Sequence, residues 1–187
     1  MTFLKTKLKD AFIVEPDQLT DERGFFARSW CQREFEALGV NKKPVQSNIS
    51  FNKKRGTLRG LHYQEDPFGE VKLVRCTMGG IYDVIIDLRP SSETYLQWIS
   101  VELTEKNRRL LFGPEGFAHG FCALENDAQV LYKSTGEYSP AHDRGIRWDD
   151  PFIGIEWPVK SPLVSQKDAA LPLLAEAEID FIYGDKK

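Results

Sequence analysis

Cysteine is scarce in this sequence: Cys31, Cys76 and Cys122 are widely spaced, odd in number and without a CxxC. That argues against a disulfide framework or a zinc site and fits a reducing, cytoplasmic setting. Long apolar runs are missing as well. Nothing approaches the ~20 apolar residues of a membrane span, and the opening MTFLKTKLKDAFIVEP lacks the apolar core of a signal peptide, so no membrane association or secretion is expected. Charge of one sign is also lacking, since 25 Lys+Arg stand against 28 Asp+Glu for a net charge of -3. A nucleic-acid partner is not expected, and any basic site must be local. There is no repeat, low-complexity tract or Pro/Gly/Ser linker, so residues 1–187 read as a single domain. That length buries a core without disulfides or a structural metal.

What is present is a cadence of short Val/Ile/Leu/Tyr/Phe runs between turns: KLVRC, MGG, IYDVIIDLR, PSSE, YLQWISVEL, TEKN, RRLLF, then GFCAL and QVLYKST across ENDA. This predicts an all-β chain. In IYDVIID both alternating faces carry apolar residues, Ile81 and Ile85 on one and Tyr82, Val84 and Ile86 on the other, as in packed sheets. A jelly roll or small barrel follows. QREFEALG predicts one short helix closed by Gly39, and SQKDAALPLLAEAEIDFIYG a short helical cover at the end. Trp98, Trp148 and Trp157 read as core or interface residues.

Two histidines stand in glycine-punctuated turns, His62 in GTLRGLHYQ and His119 in PEGFAH. From residue type alone each could be a satisfied core histidine, a metal ligand or a base. The two turns resemble the paired motifs of the cupin superfamily, which implies a cupin-type jelly-roll barrel with a few short helices. Metal-binding cupins usually place a second histidine two residues after the first. Here that position is Gln64, and although Glu70 could serve, Lys72 beside it would oppose a cation. No metal and no cofactor are expected.

A sharper resemblance covers nearly the whole chain. DERGFF, QSN, KKRGTLRGLHYQ, EVKLVRC, PEGFAHGF, YKST, WDDP and SQKD together resemble the dTDP-4-dehydrorhamnose 3,5-epimerase family, a metal-free branch of the cupin fold. The resemblance implies inversion of C3 and C5 in a nucleotide-linked 4-keto-6-deoxy sugar, carbons made acidic by the flanking ketone. Such chemistry needs a base, an acid on the opposite face of the ring and donors at the enolate oxygen. By resemblance, His62 is the base, Asp168 its orienting partner, Tyr132 the acid and Lys72 the oxyanion stabiliser, with His119 a second donor. Arg23 and Arg59 match the diphosphate contacts and Tyr138 a ring stacked on the nucleobase. Phe26, Arg28, Gln46, Ser47, Asn48, Asp143 and Lys167 match further substrate positions. The family usually forms a homodimer in the cytoplasm.

Three positions depart from the pattern. Arg28 stands where glutamate is usual, Asp143 where glutamate is more common, and Gly113 where isoleucine is usual. The proton-transfer residues are intact, so the reaction class is firmer than the substrate. The leading substrate is dTDP-4-dehydro-6-deoxyglucose, on a route to dTDP-rhamnose and the carbohydrate of lipopolysaccharide. Alternatives are a 3-epimerase or 3,5-epimerase of a GDP- or CDP-linked sugar, a metal-dependent cupin enzyme, and a non-catalytic sugar-nucleotide-binding module.

Overall fold

The computed structural model describes residues 1–181. In chain order the strands are β1 (Thr2–Lys5), β2 (Phe12–Glu15), β3 (Gln18–Asp21), β4 (Gly24–Ala27), β5 (Gln46–Asn52), β6 (Leu58–Gln64), β7 (Lys72–Met78), β8 (Gly80–Asp87), β9 (Trp98–Thr104), β10 (Leu110–Gly113), β11 (Phe117–Ala123), β12 (Ala128–Ser134) and β13 (Asp143–Gly145). Six form one sheet in the order β1-β2-β10-β7-β12-β5, and five form another, β13-β6-β11-β8-β9. The paired strands are antiparallel, and β3 and β4 form a separate hairpin. This is the expected all-β, jelly-roll architecture.

The two-faced character of IYDVIID has a direct structural meaning. Ile81 and Ile85 face inward and pack with Val74, Leu103, Leu111 and Val130 between the sheets. Val84 and Ile86 face the other way and are buried with Leu61 and Ile146 beneath the chain after β13, where Ile153, Trp157 and Phe181 cover them. A strand covered on both faces reads as nearly continuous apolar sequence.

The predicted helix is α1 (Gln32–Glu36), which buries Phe35 against Leu73, Leu110 and Phe112. It closes as expected at Gly39, where φ is +85°, with Gly39 N–H donating to Glu36 C=O and Val40 N–H to Phe35 C=O. One boundary differs. The run YLQWISVEL becomes strand only from Trp98, because Leu96 adopts φ +60° and its N–H turns back to Asp87 C=O. The C-terminal cover contains α2 (Gln166–Ala169) and a 3₁₀ turn over Leu174–Glu176, with extended chain between and after them. Positions 182–184 of that predicted cover lie outside the described residues.

Candidate active site

His62 sits on β6 at the register position facing His119 on β11. The two sequence motifs therefore meet side by side on one sheet and open into the barrel. Their approach depends on Gly60, at φ +111°: a Cβ there would stand 2.6 Å from His119 O and 2.7 Å from Gly120 Cα. No side chain fits that crossing.

His62 Nε2 donates to Asp168 Oδ1 at 2.9 Å, across 106 positions of sequence. Asp168 is held in turn by α2, whose first turn is capped by Ser165: its hydroxyl accepts from Asp168 N–H at 3.0 Å. Asp168 Oδ2 accepts the Gly60 N–H at 3.2 Å. Burial pushes the Asp168 carboxyl upward, but the bonds and charge from His62, with Gly60 and Ser165, outweigh it and hold the group below its ordinary value. The result is an ionised acceptor that fixes one ring nitrogen of His62 and leaves the other to the cavity.

His119 forms a second pair, its Nε2 lying 2.7 Å from Asp83 Oδ1. Asp83 is fully buried, its Oδ2 has no hydrogen-bond partner among the described residues, and burial raises its carboxyl above the usual range. Lys72, on β7 across the barrel, pairs with Glu70 at 3.1 Å, and Glu70 accepts a further hydrogen bond from Ser134 Oγ. Neither acid is among the expected site residues, and the sequence offers Glu70 only as a metal ligand. Asp83 carries a signal that could have found it: an aspartate in phase with Ile81 and Ile85 must point into the core, where it needs a partner.

His62, Lys72, His119, Tyr132 and Asp168 line one cavity of about 500 Å³, with Arg59 and Lys167 also in its wall. An adjoining cleft of about 440 Å³ shares His62, Lys72, Tyr132 and Lys167 and adds Gln46, Asn48, Tyr138 and Asp143. Arg59 Nε donates to Asn52 Oδ1 at 2.9 Å. Asp143 Oδ2 accepts from Tyr138 OH at 3.0 Å and from Lys167 Nζ at 2.5 Å, which raises both donors' pKa values.

Four expected contacts lie elsewhere in the chain. Arg23 is on the β3–β4 hairpin with its guanidinium turned back onto Asp21 at 2.6 Å, and Phe26 is 68% exposed. Arg28 follows the hairpin and pairs with Glu34 at 3.4 Å. Ser47 alternates with Gln46 and Asn48 on β5 and is exposed, away from the cleft they line. Gln64 is taken up by backbone, donating to Phe68 O and Glu137 O and accepting from Ser139 N–H. Among the described residues no group of three or more His, Cys, Asp and Glu could hold a metal ion.

A buried carboxylate–imidazole pair, a phenol and an ammonium around one cavity can abstract a carbon-bound proton, return one and stabilise the anion between. Residues 5–176 match the family model described as dTDP-4-dehydrorhamnose 3,5-epimerase. The dTDP-4-dehydrorhamnose 3,5-epimerase of Shigella flexneri is 49% identical over 169 residues, 90% of this chain and 93% of that one. The crystal structure of the Bacillus anthracis dTDP-4-dehydrorhamnose 3,5-epimerase, with TDP and PPi bound, superposes with a TM-score of 0.89 at 45% identity, covering 92% of this chain and 99% of that one. A Legionella pneumophila dTDP-6-deoxy-D-glucose-3,5-epimerase in complex with dTDP-4-keto-L-rhamnose superposes with a TM-score of 0.88 at 39% identity, covering 94% and 93%.

Proposed function

The chain belongs to the dTDP-4-dehydrorhamnose 3,5-epimerase family, and from that membership we propose that it inverts C3 and C5 of dTDP-4-dehydro-6-deoxyglucose through an enolate, as a single catalytic domain. The observation that carries the mechanism is the His62–Asp168 pair sharing a cavity with Lys72 and Tyr132.

The free nitrogen of His62 takes the proton from the carbon beside the ketone, and the electron pair moves onto the C4 oxygen. Lys72, with His119, stabilises that oxyanion by charge and hydrogen bonding. Tyr132 returns a proton to the opposite face, and the electrons fall back to restore the ketone with the carbon inverted. Asp168 balances the imidazolium that forms on His62. Arg59, Lys167, Gln46 and Asn48 hold the nucleotide diphosphate and sugar, with Tyr138 on the base. The test is incubation with the 4-keto sugar nucleotide in deuterated water. Wild type incorporates deuterium at C3 and C5, and His62→Ala loses at least ~100-fold of that exchange. Exchange near wild-type rates in the variant overturns the assignment of the base.

The working unit is a homodimer. Arg23, Phe26 and Arg28 do not line the described cavity of their own chain, and a second copy that brought its β3–β4 hairpin to the cavity would supply them to the substrate. Leu19, Phe25 and Phe26 on that hairpin, with Ile49 and Phe51 on β5, are exposed apolar groups of the kind a partner covers. No helix among the described residues is long and apolar enough to cross a membrane, and a cytoplasmic location accords with the reduced cysteines.

A further inference from the structure

Beside the cavity, and sharing Lys72 and His119 with it, lies a second, much smaller recess of about 10 Å³, room for one small group. Its walls are largely apolar, with Val74, Ile85, Leu111 and Phe117 buried there beside Pro114, and Glu70 borders it together with Lys72 and His119. Gly113 completes it. This glycine is the register partner of Lys72 on the neighbouring strand, so a side chain there would stand on the same face of the sheet as Lys72. A Cβ built there would meet a single atom within 4 Å, Ile85 Cγ2 at 3.4 Å, an ordinary contact.

We infer that Gly113 opens a specificity subsite for the methyl group on C5 of the sugar, and that it is a specificity-determining residue. The inference rests on the proposed epimerase reading. With the ketone oxygen against Lys72 and His119, the groups nearest the recess are the substituents on the two flanking carbons. One of these is the C3 hydroxyl and the other the C5 methyl. A methyl among Val74, Ile85, Leu111 and Phe117 gains by burial, whereas a hydroxyl gives up its water partners and meets only polar groups already engaged, Glu70 with Lys72 and Ser134 and His119 with Asp83. The recess combines Lys72 and His119 with a larger set of apolar side chains, which matches a keto group beside a methyl.

The experiment compares two nucleotide-linked 4-keto sugars, one with the C5 methyl and the corresponding pentose with hydrogen in its place. Deuterium exchange at C3, common to both, gives kcat/KM for each. Wild type favours the methyl-bearing sugar by roughly tenfold, the discrimination that one methyl-sized group in an apolar pocket provides. Gly113→Ala narrows that preference severalfold, and Gly113→Val abolishes it. Thermal midpoints of both variants establish that they are folded; should the valine variant not fold, the alanine variant carries the test. An unchanged ratio across the folded proteins overturns the inference, as does an equal fall for both sugars, which would indicate disturbance of Lys72. Failure of wild type to exchange deuterium in either sugar would instead overturn the epimerase reading and the subsite with it.

Discussion

A histidine is useful as a base only when one ring nitrogen is held and the other is free, and the His62–Asp168 contact at 2.9 Å achieves that division. Asp168→Asn keeps the shape but removes the negative charge that balances the imidazolium, so kcat should fall strongly while binding of dTDP is retained; near wild-type kcat would refute the role. The same carboxylate has a signature in acid stability. Its folded pKa is lowered, so the folded state holds its proton more weakly than the unfolded chain does, and its contribution is present above the unfolded value near ~3.9. That contribution is lost as pH falls through the lower folded value. In urea titrations over this acid range, wild type should therefore lose stability more steeply than Asp168→Asn. A pair 106 positions apart is invisible to spacing, and here it was legible only through the resemblance. Asp83 was legible in principle from its inward phase on β8, whereas Glu70 was not. Its pairing with Lys72 depends on how the chain enters β7 and on Ser134, 64 positions away on β12.

At the scale of elements, the site is a crossing of β6 and β11 braced by a four-residue helix. Gly60 is the tightest point of that crossing. Gly60→Ala forces a Cβ against His119 O and Gly120 Cα, backbone atoms that cannot swing aside, and adds strain at φ +111°. The expected loss is on the order of 3 kcal/mol in chemical denaturation, with His62 and His119 spread apart and activity lost. A variant with wild-type stability would show that the crossing is looser than its geometry indicates. The strands from β7 to β12 were readable because their apolar runs are separated by strong turn signals such as MGG and ENDA. The strands β1 to β6 drew no specific reading. Several are short, β3 and β4 are largely exposed, and β6 is broken by Gly60 in the run that carries His62, so local pattern carries little there. The cover from Ser165 onward was readable as a cover but not as mostly extended chain, since its conformation is set by what it packs on. Leu171 stands where a Cβ on Gly145 of β13 would fall, and Leu174, Ile179 and Phe181 pack with the outer core of the sheet.

For the whole molecule, the question is why residues that resemble substrate contacts stand on a hairpin outside the described cavity lining of their own chain. Arg23 is exposed and among the described residues is held by Asp21 alone, and Phe26 presents its ring to solvent, a poor arrangement for a solitary chain. A two-fold assembly resolves this if each hairpin serves the other copy's cavity, because an isologous interface repeats the same exchange on both sides. Complementation then separates contributions made within one chain from those made across two. His62→Ala and Arg23→Ala should each be nearly inactive alone. After joint unfolding and refolding of an equal mixture, half of the dimers are mixed, and each mixed dimer holds one site with both His62 from its own chain and Arg23 from its partner. Activity should return to about one quarter of wild type. If Arg23 acts within its own chain, every site in every mixed dimer lacks one of the two residues, and the mixture stays as inactive as its components. Light scattering on the refolded sample fixes the mass of the species assayed, so a return of activity in a monomeric fraction would overturn the exchange.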